Sequence, residues 1–269
     1  MPVAKPDLGL AAELVLLSEA VRAAGAAALK FYGNEPRVWH KDDRSPVSEA
    51  DHAADAVLKN RLTAARPAYG WMSEESGHVA ARGPQDRLWI VDPIDGTRAY
   101  LKGRAEWAVS AALVEKGRPI AACVFNPAAG LFFTAMKGGG AHLNGAAIRA
   151  SNRASIAGAR MLAHDSGLRG RRWRLPWPDM ELHRVNSIAY RICLVASGKY
   201  DAALSGSNKS DWDLAAADLI VHEAGGRISA FNGVGFVYNR VGFRHQNVVC
   251  AGARLHAKLI SHIKAAIRP

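Results

Sequence analysis

The sequence predicts a mixed α and β fold with a mostly antiparallel sheet, and three observations predict it. Short apolar runs, Leu88–Val91, Trp107–Val114, Ile120–Phe125 and Leu131–Ala135, alternate with turns marked by glycine or proline, the pattern of neighbouring antiparallel strands. Apolar residues at helical spacing open and close the chain, from Leu8 to Phe31 and from His256 to Ile267. Between them the run Leu88–Val91 passes directly into Asp92-Pro93-Ile94-Asp95-Gly96-Thr97, a short buried strand giving way to a turn of the kind that also opens helices.

The first helix presents Leu10, Leu14, Leu17, Val21, Ala24 and Ala28 on one face and breaks at Gly33-Asn34-Glu35-Pro36. Lys41 to Pro46 is a polar loop. Ser48 is followed three residues on by Asp51, an arrangement like a capping box with Asp in the usual Glu or Gln place; it opens a helix that runs to about Ala65 and stops before Pro67. Tyr69–Met72 is a short apolar patch ahead of Ser73-Glu74-Glu75-Ser76. Beyond the strand region, Gly138-Gly139-Gly140 is a turn, not a dinucleotide fingerprint, because no strand and helix flank it. Near Ala150 the composition shifts to Arg, Gly and Pro, and a boundary is expected there, dividing residues 1–150 from 151–269. In the second part Met161–His164, Asp201–Leu204, Arg227–Ser229, Tyr238 and Val248–Ala251 read as strands. Ser187–Val195 and Asp213–Ala224 read as helices, the latter closed by Gly225-Gly226.

Composition narrows the class. Of the 269 residues, 49% are apolar and 22% charged, as in ordinary globular proteins. No apolar run approaches the roughly 20 residues a membrane helix needs, and Met1–Asp7 lacks the layout of a secretory signal, so a cytoplasmic protein with no membrane partner is expected. Cys123, Cys193 and Cys250 stand far apart in apolar surroundings and read as buried free thiols. The net charge of +11 suits an anionic partner. Its one cluster, Arg169-Gly170-Arg171-Arg172-Trp173-Arg174, reads as a solvated basic loop before a phosphate grip. No helix-turn-helix, RNP or zinc-finger pattern is present, so no nucleic-acid partner is expected.

Asp92 and Asp95 project from the end of a buried strand, close enough to repel. At neutral pH such a pair either keeps a proton or takes a cation between its members. Hard oxygen donors suit Mg²⁺, which binds a few carboxylates together with phosphate oxygens. A helix starting at Gly96–Thr97 would turn free N–H groups toward the same place. Alone, the segment fits equally well a strand ended by an Asx turn, with both acids merely capping. Ser210-Asp211-Trp212-Asp213 adds acids in the first turn of a helix, and Glu74-Glu75 adds an acidic turn.

Together and in this order, Glu74-Glu75, Asp92-Pro93-Ile94-Asp95-Gly96-Thr97 and Trp212-Asp213-Leu214-Ala215-Ala216, running on to Glu223-Ala224-Gly225-Gly226, resemble the motifs of the inositol monophosphatase superfamily of metal-dependent phosphatases. The resemblance runs from about Leu10 to Ala251. It implies a layered α-β-α-β-α sandwich and hydrolysis of a small phosphate ester with two or three Mg²⁺ ions. It implies Glu74, Asp92, the Ile94 carbonyl, Asp95 and Asp213 as metal ligands, Glu74 being the carboxylate nearest the activated water. It places Thr97, hydrogen-bonded to Asp51, beside that water, and the N–H groups of Gly96 and Thr97 on the phosphate. Lys41 is its match for a lysine near the site. Lithium inhibition and a homodimer are further implications. His164, His183 and His222 lack ligand spacing and read as core or surface residues, and Asp211 and Asp218 as helix-end or solvated acids.

Substrate choice in the superfamily lies before Trp212-Asp213. Inositol monophosphatases carry a Glu seven positions ahead of that Asp, where this chain has Gly206. Ser45–Asp51 and Met72–Glu75 look like the bacterial 3'(2'),5'-bisphosphate nucleotidases, whereas Thr97-Arg98-Ala99-Tyr100 sits closer to the inositol and histidinol phosphatase branches. The expectation is therefore a nucleotidase acting on 3'-phosphoadenosine 5'-phosphate, with Tyr190, Arg191 or the Arg169–Arg174 segment on its base and second phosphate, and inositol phosphate hydrolysis as the near alternative. An inactive phosphate- or nucleic-acid-binding protein is the alternative of another class, and the complete carboxylate set speaks against it.

Overall fold

The structure, a computed structural model, describes residues 8–41, 45–79, 86–164, 167–168, 172–240, 242 and 244–267. Two helices come early, α1 (Leu8–Leu29) and α2 (Glu49–Ala65), with the hairpin β1 (Val38–His40) and β2 (Pro46–Ser48) between them. An eight-stranded sheet follows, formed by β3 (Gly70–Ser73), β4 (Gly77–Val79), β5 (Arg87–Asp95), β6 (Ala108–Glu115), β7 (Arg118–Asn126), β8 (Leu131–Met136), β9 (Gly140–Leu143) and β10 (Ala146–Ala147). All its neighbours pair antiparallel except β3 with β5, and the one-turn helix α3 (Thr97–Tyr100) follows β5. A second sheet has five strands: β11 (Arg160–Leu162), β12 (Glu181–His183), β13 (Ala202–Ser205), β15 (Gly226–Ser229) and β17 (Val248–Gly252). The remaining elements are α4 (Ile188–Ala196), the small pair β14 (Lys209–Ser210) and β16 (Arg244–His245), α5 (Asp211–Glu223) and α6 (Ala253–Ala266).

The layers follow from side-chain alternation. On β5, Trp89 and Val91 point to one face, where α1 and α2 supply Leu17, Val21, Leu58 and Leu62. Leu88 and Ile90 point to the other, where α4 and α5 supply Ile192, Leu214 and Ile220. A strand buried on both faces reads as a continuous apolar run, as this one does. The same inner cluster contains Leu162, Ala203 and Cys250 of the second sheet, whose far face packs under Leu255, Leu259 and Ile263 of α6. The order is thus helices, sheet, helices, sheet, helix. Each fully buried Leu or Val in these layers stabilises the fold by roughly 1.5–3 kcal/mol.

The strands of the first sheet end at Ala147 and those of the second begin at Arg160, either side of the expected boundary near residue 150, while one core cluster draws on both. All three cysteines are buried and free. Among the described residues no helix is long and apolar enough to cross a membrane. Two expectations are corrected and one strand is added. β5 does not stop before Asp92 but continues through Asp95. Tyr238 lies in no strand; its N–H reaches Gly117 O and its hydroxyl is committed elsewhere. The edge strand β12, Glu-Leu-His, went unforeseen because it carries no apolar alternation.

Candidate metal centre

The centre is organised by an irregularity in β5. Asp92 stands opposite Ser110 on β6, and Asp95 opposite Ala108, so three steps on one strand match two on the other. In a regular strand residues i and i+3 face opposite sides. The extra residue cancels that alternation and brings both acids to one side. Pro93, which has no N–H to lose, is tolerated at such a place. Asp213 comes from the first turn of α5. Oxygens of Asp92, Asp95 and Asp213 all lie within 4.8 Å of one another.

Local bonds hold each acid in place. Ile94 N donates to Asp92 Oδ1 at 3.1 Å. Ser187 Oγ and Ala189 N, at the start of α4, both donate to Asp95 Oδ2 at 2.6 Å. Ser210 N donates to Asp213 Oδ2 at 2.5 Å. Gly96 turns the chain with φ of +99°, and a Cβ there would stand 2.8 Å from Glu106 O. Tyr100 Oη, donating to Ala28 O at 2.7 Å, pins the following helical turn to α1. That helix has only four residues, so what it offers a phosphate is local N–H groups rather than a long dipole.

The electrostatics are those of a crowded anionic site. Burial, followed by repulsion from Glu74, Asp95 and Asp213, raises Asp92 well above the usual carboxylate range. Asp95 is pushed up to about 6 by burial, against the pull of its Ser187 and Ala189 donors. Asp213 is pushed up to about 7 by burial and then by Asp95, with Ser210 and Lys209 opposing. Three hard oxygen donors gathered in one place, each held above the usual carboxylate range chiefly by burial, are a donor set matched to Mg²⁺.

The structure places the other expected residues around this trio. Thr97 Oγ1 lies 3.2 Å from Asp51 Oδ1 and 3.0 Å from Ile94 O, one donor for two acceptors. Asp51 is buried and accepts Ser48 N and Oγ on Oδ2, at 2.8 and 2.6 Å. Burial raises its pKa, and the Ser48 donors oppose the rise. Glu74 is half-buried and lies outside the trio's oxygen cluster; Lys41 Nζ sits 2.9 Å from Glu74 Oε1 and 2.7 Å from Glu75 Oε1. Burial favours the neutral lysine, but the two glutamates outweigh it and raise Lys41. Glu75 is itself pushed up to about 7, first by burial. Glu74 also lines a cleft of about 570 Å³ with Met72, His78, Trp212 and Arg240.

Two expected substrate contacts lie elsewhere. Tyr190 is 7% exposed and sits in the inner core against Phe133, ring centres 6.4 Å apart. Arg191 is equally buried, and its guanidinium donates backward to Val185 O and Asn186 O. It therefore braces the loop before α4, with Asp95 within its electrostatic reach. Of the basic cluster, residues 169–171 lie outside the described residues. Trp173 packs on Trp177, Arg174 binds Ala265 O, and Arg172 lies over Gly206, donating to its carbonyl at 3.4 Å. His164 and His183 are at or near the surface, and His222 pairs with Asp218 at 2.6 Å. Asp211 and Asp218 are not solvated. Asp211 accepts His245 Nε2 and Asn239 N, at 2.7 Å each, and Asp218 accepts Tyr238 Oη at 2.6 Å.

Ser187 and Lys209 went unforeseen. Ser187 is legible as an N-cap, since its Oγ also accepts Tyr190 N, but nothing local shows that it holds an acid 92 positions away. Lys209 lies near Asp213 and Asp95, and burial pulls its pKa down against their attraction.

The sequence profile described as the inositol monophosphatase family matches residues 11–268. The Nus factor SuhB of Pseudomonas aeruginosa is 35% identical over 237 residues, covering 81% of this chain and 86% of that one. The inositol-1-monophosphatase of Mesorhizobium japonicum is 33% identical over 230 residues, covering 82% and 86%. Among solved structures, the extragenic suppressor protein suhB of Bartonella henselae superposes with a TM-score of 0.83 at 29% identity, over 94% of this chain and 98% of that one. The inositol monophosphatase of Anabaena, at 22% identity and a TM-score of 0.78 over 97% and 98%, shares the fold.

Proposed function

The chain belongs to the inositol monophosphatase family of metal-dependent phosphatases, and on that premise we propose that it hydrolyses a small phosphate monoester with Mg²⁺ held by Asp92, Asp95, Asp213 and the Ile94 carbonyl. The observation that carries the reading is the convergence of three acids from β5 and α5 within 4.8 Å. When bound, the cations neutralise the phosphoryl oxygens and the leaving oxygen.

The chain's own groups do the rest. The N–H groups of Gly96 and Thr97 precede the first intrahelical acceptor and hold the phosphate. Thr97 donates its hydroxyl proton to Asp51 Oδ1, which leaves an Oγ lone pair facing the attacking water; as Thr97 takes a proton from that water it passes its own to Asp51. Glu74 assists as base. Lys41 pairs with Glu74 and Glu75 and offsets their charge beside the trio. Ser187 and Ala189 fix Asp95 against its own repulsion.

For the substrate we favour an ester with a second anionic group, adenosine 3',5'-bisphosphate being the first to test. What supports this is the loop before α5, where Gly206 lies beneath the Arg172 guanidinium and Lys209 faces the acids. Cations there, where inositol phosphatases carry a Glu for the inositol hydroxyls, suit an anionic ester better than a neutral polyol. The second reading, inositol 1-phosphate, is favoured by relatives named for that activity at 33% and 32% identity. A phosphate-release panel decides between them: Mg²⁺ with adenosine 3',5'-bisphosphate, inositol 1-phosphate, histidinol phosphate or fructose 1,6-bisphosphate. The bisphosphate nucleotide is expected to have the highest kcat/KM. Absence of Mg²⁺-dependent release from all four overturns the phosphatase reading. A homodimer, lithium inhibition and a cytoplasmic location remain part of the same proposal.

A further inference from the structure

Beside the metal centre lies a cleft of about 270 Å³. Arg98, Lys102 and Arg104 come to it from the turn after Thr97, and Arg184 from the loop before α4; Glu106 is the one carboxylate in its lining and His164 completes the wall. Both walls are built on the metal centre. Arg98 follows Thr97 directly, and the Arg184 loop leads into Ser187, which holds Asp95. Ser187 N donates to Glu106 O, tying the two walls together, while Arg191 fastens Val185 and Asn186 from behind.

Arg98, Lys102, Arg104 and Arg184 make no ion pair among the described residues. Four exposed cations facing one carboxylate repel one another, and an anion in the cleft relieves that repulsion. A solvated basic surface needs no such convergence from two separate segments onto a concavity next to a phosphate site. The cleft's size fits one phosphate or carboxylate with part of its carrier. Its lining has no Phe, Tyr or Trp on which a base would stack, and it is too short to follow a polynucleotide.

We propose that this cleft binds the second anionic group of the substrate, so that Arg98, Lys102, Arg104 and Arg184 set a preference for phosphate esters that carry one. The inference rests on the phosphatase reading of the adjoining centre. The test compares wild type with Arg98→Gln/Arg184→Gln and, as an independent pair, Lys102→Gln/Arg104→Gln. A control, Arg254→Gln/Lys258→Gln on α6, removes the same charge from exposed positions on another element.

For either cleft pair, kcat/KM on adenosine 3',5'-bisphosphate should fall about 10-fold or more, with p-nitrophenyl phosphate unchanged within about twofold and the α6 control unaffected on both. Calorimetric titration of adenosine 3',5'-bisphosphate into metal-free protein, where no turnover occurs, should show the same selective loss. An equal fall on both substrates, no fall, or a fall matched by the α6 control overturns the subsite while Mg²⁺-dependent activity leaves the phosphatase reading intact. No wild-type activity on either substrate, together with no calorimetric loss, overturns both. A cleft pair that loses single-stranded RNA binding, read by fluorescence anisotropy, while keeping its bisphosphate kinetics assigns the cations to a polynucleotide instead. That arm matters because relatives at 35% and 30% identity are named Nus factors.

Discussion

Replacing Asp213 with Asn should make the metal-free protein more stable and leave it insensitive to Mg²⁺. Asp213 stands at about 7 in the folded protein against an ordinary value of 3.8, chiefly through burial and then through repulsion from Asp95. A group whose pKa is raised by folding contributes its stability in full below the unfolded value, and that contribution is lost as pH rises through the folded one. The wild-type protein without metal should therefore weaken between about pH 4 and pH 7. At pH 5 the penalty from this one carboxylate is on the order of 1–2 kcal/mol, and at pH 8 on the order of 4 kcal/mol. Asn keeps an acceptor for Ser210 N and carries no charge, so the gap between variant and wild type should widen by roughly 2–3 kcal/mol from pH 5 to pH 8. In a protein of this length that is about 5–10 °C in Tm. Scanning calorimetry in EDTA at the two pH values reads it directly, and added Mg²⁺ should raise the wild-type Tm at pH 8 but not the variant's. A variant that is equally destabilised at both pH values would mean that Asp213 serves only as a helix cap, and the charge-crowding account of the centre would fail.

Four further outcomes follow from the same geometry. Asp92→Asn, at the centre of the cluster, should reduce kcat by about 1,000-fold or more in the phosphate-release assay while the protein stays folded by circular dichroism. Ser187→Ala removes a charge-assisted donor from Asp95 and should lower kcat about 10-fold and weaken Mg²⁺ binding in a metal titration. Gly96→Ala places a Cβ 2.8 Å from Glu106 O at φ of +99° and should cost about 2–4 kcal/mol in urea denaturation, with loss of activity. Tyr238→Phe strips the buried Asp218 carboxylate of its hydroxyl donor and should cost about 1–3 kcal/mol with little change in kcat.

What the sequence made legible was what chemistry writes locally. The strand Leu88–Val91, the hairpin turns after it and the amphipathic termini are spelled by spacing alone, and the structure moves their ends by only a few residues. Asp92, Asp95 and Asp213 were readable because their motif neighbours are contiguous. The acids whose bonding stayed hidden were those whose partners arrive from afar, although Asp211 does stand in the first turn of its helix as read. Asp211 and Asp218 looked like ordinary helix acids until the segment after β15 folded over them with Tyr238, Asn239 and His245. Tyr190 and Arg191 looked available for substrate because a helix's buried face is set by what packs on it. Lying between two sheets, α4 buries every one of its residues, and its own sequence does not say so.

The bulge in β5 also limits how the chain can vary in length. Gain of one residue between the two acids, with the bulge retained, would match four steps to three and send either Asp92 or Asp95 to the far face of the sheet, whatever its identity. Such an insertion dismantles the centre without altering a single ligand. A paralogue with a spacer longer by one residue would thus keep both aspartates in an alignment and still be an inert cousin.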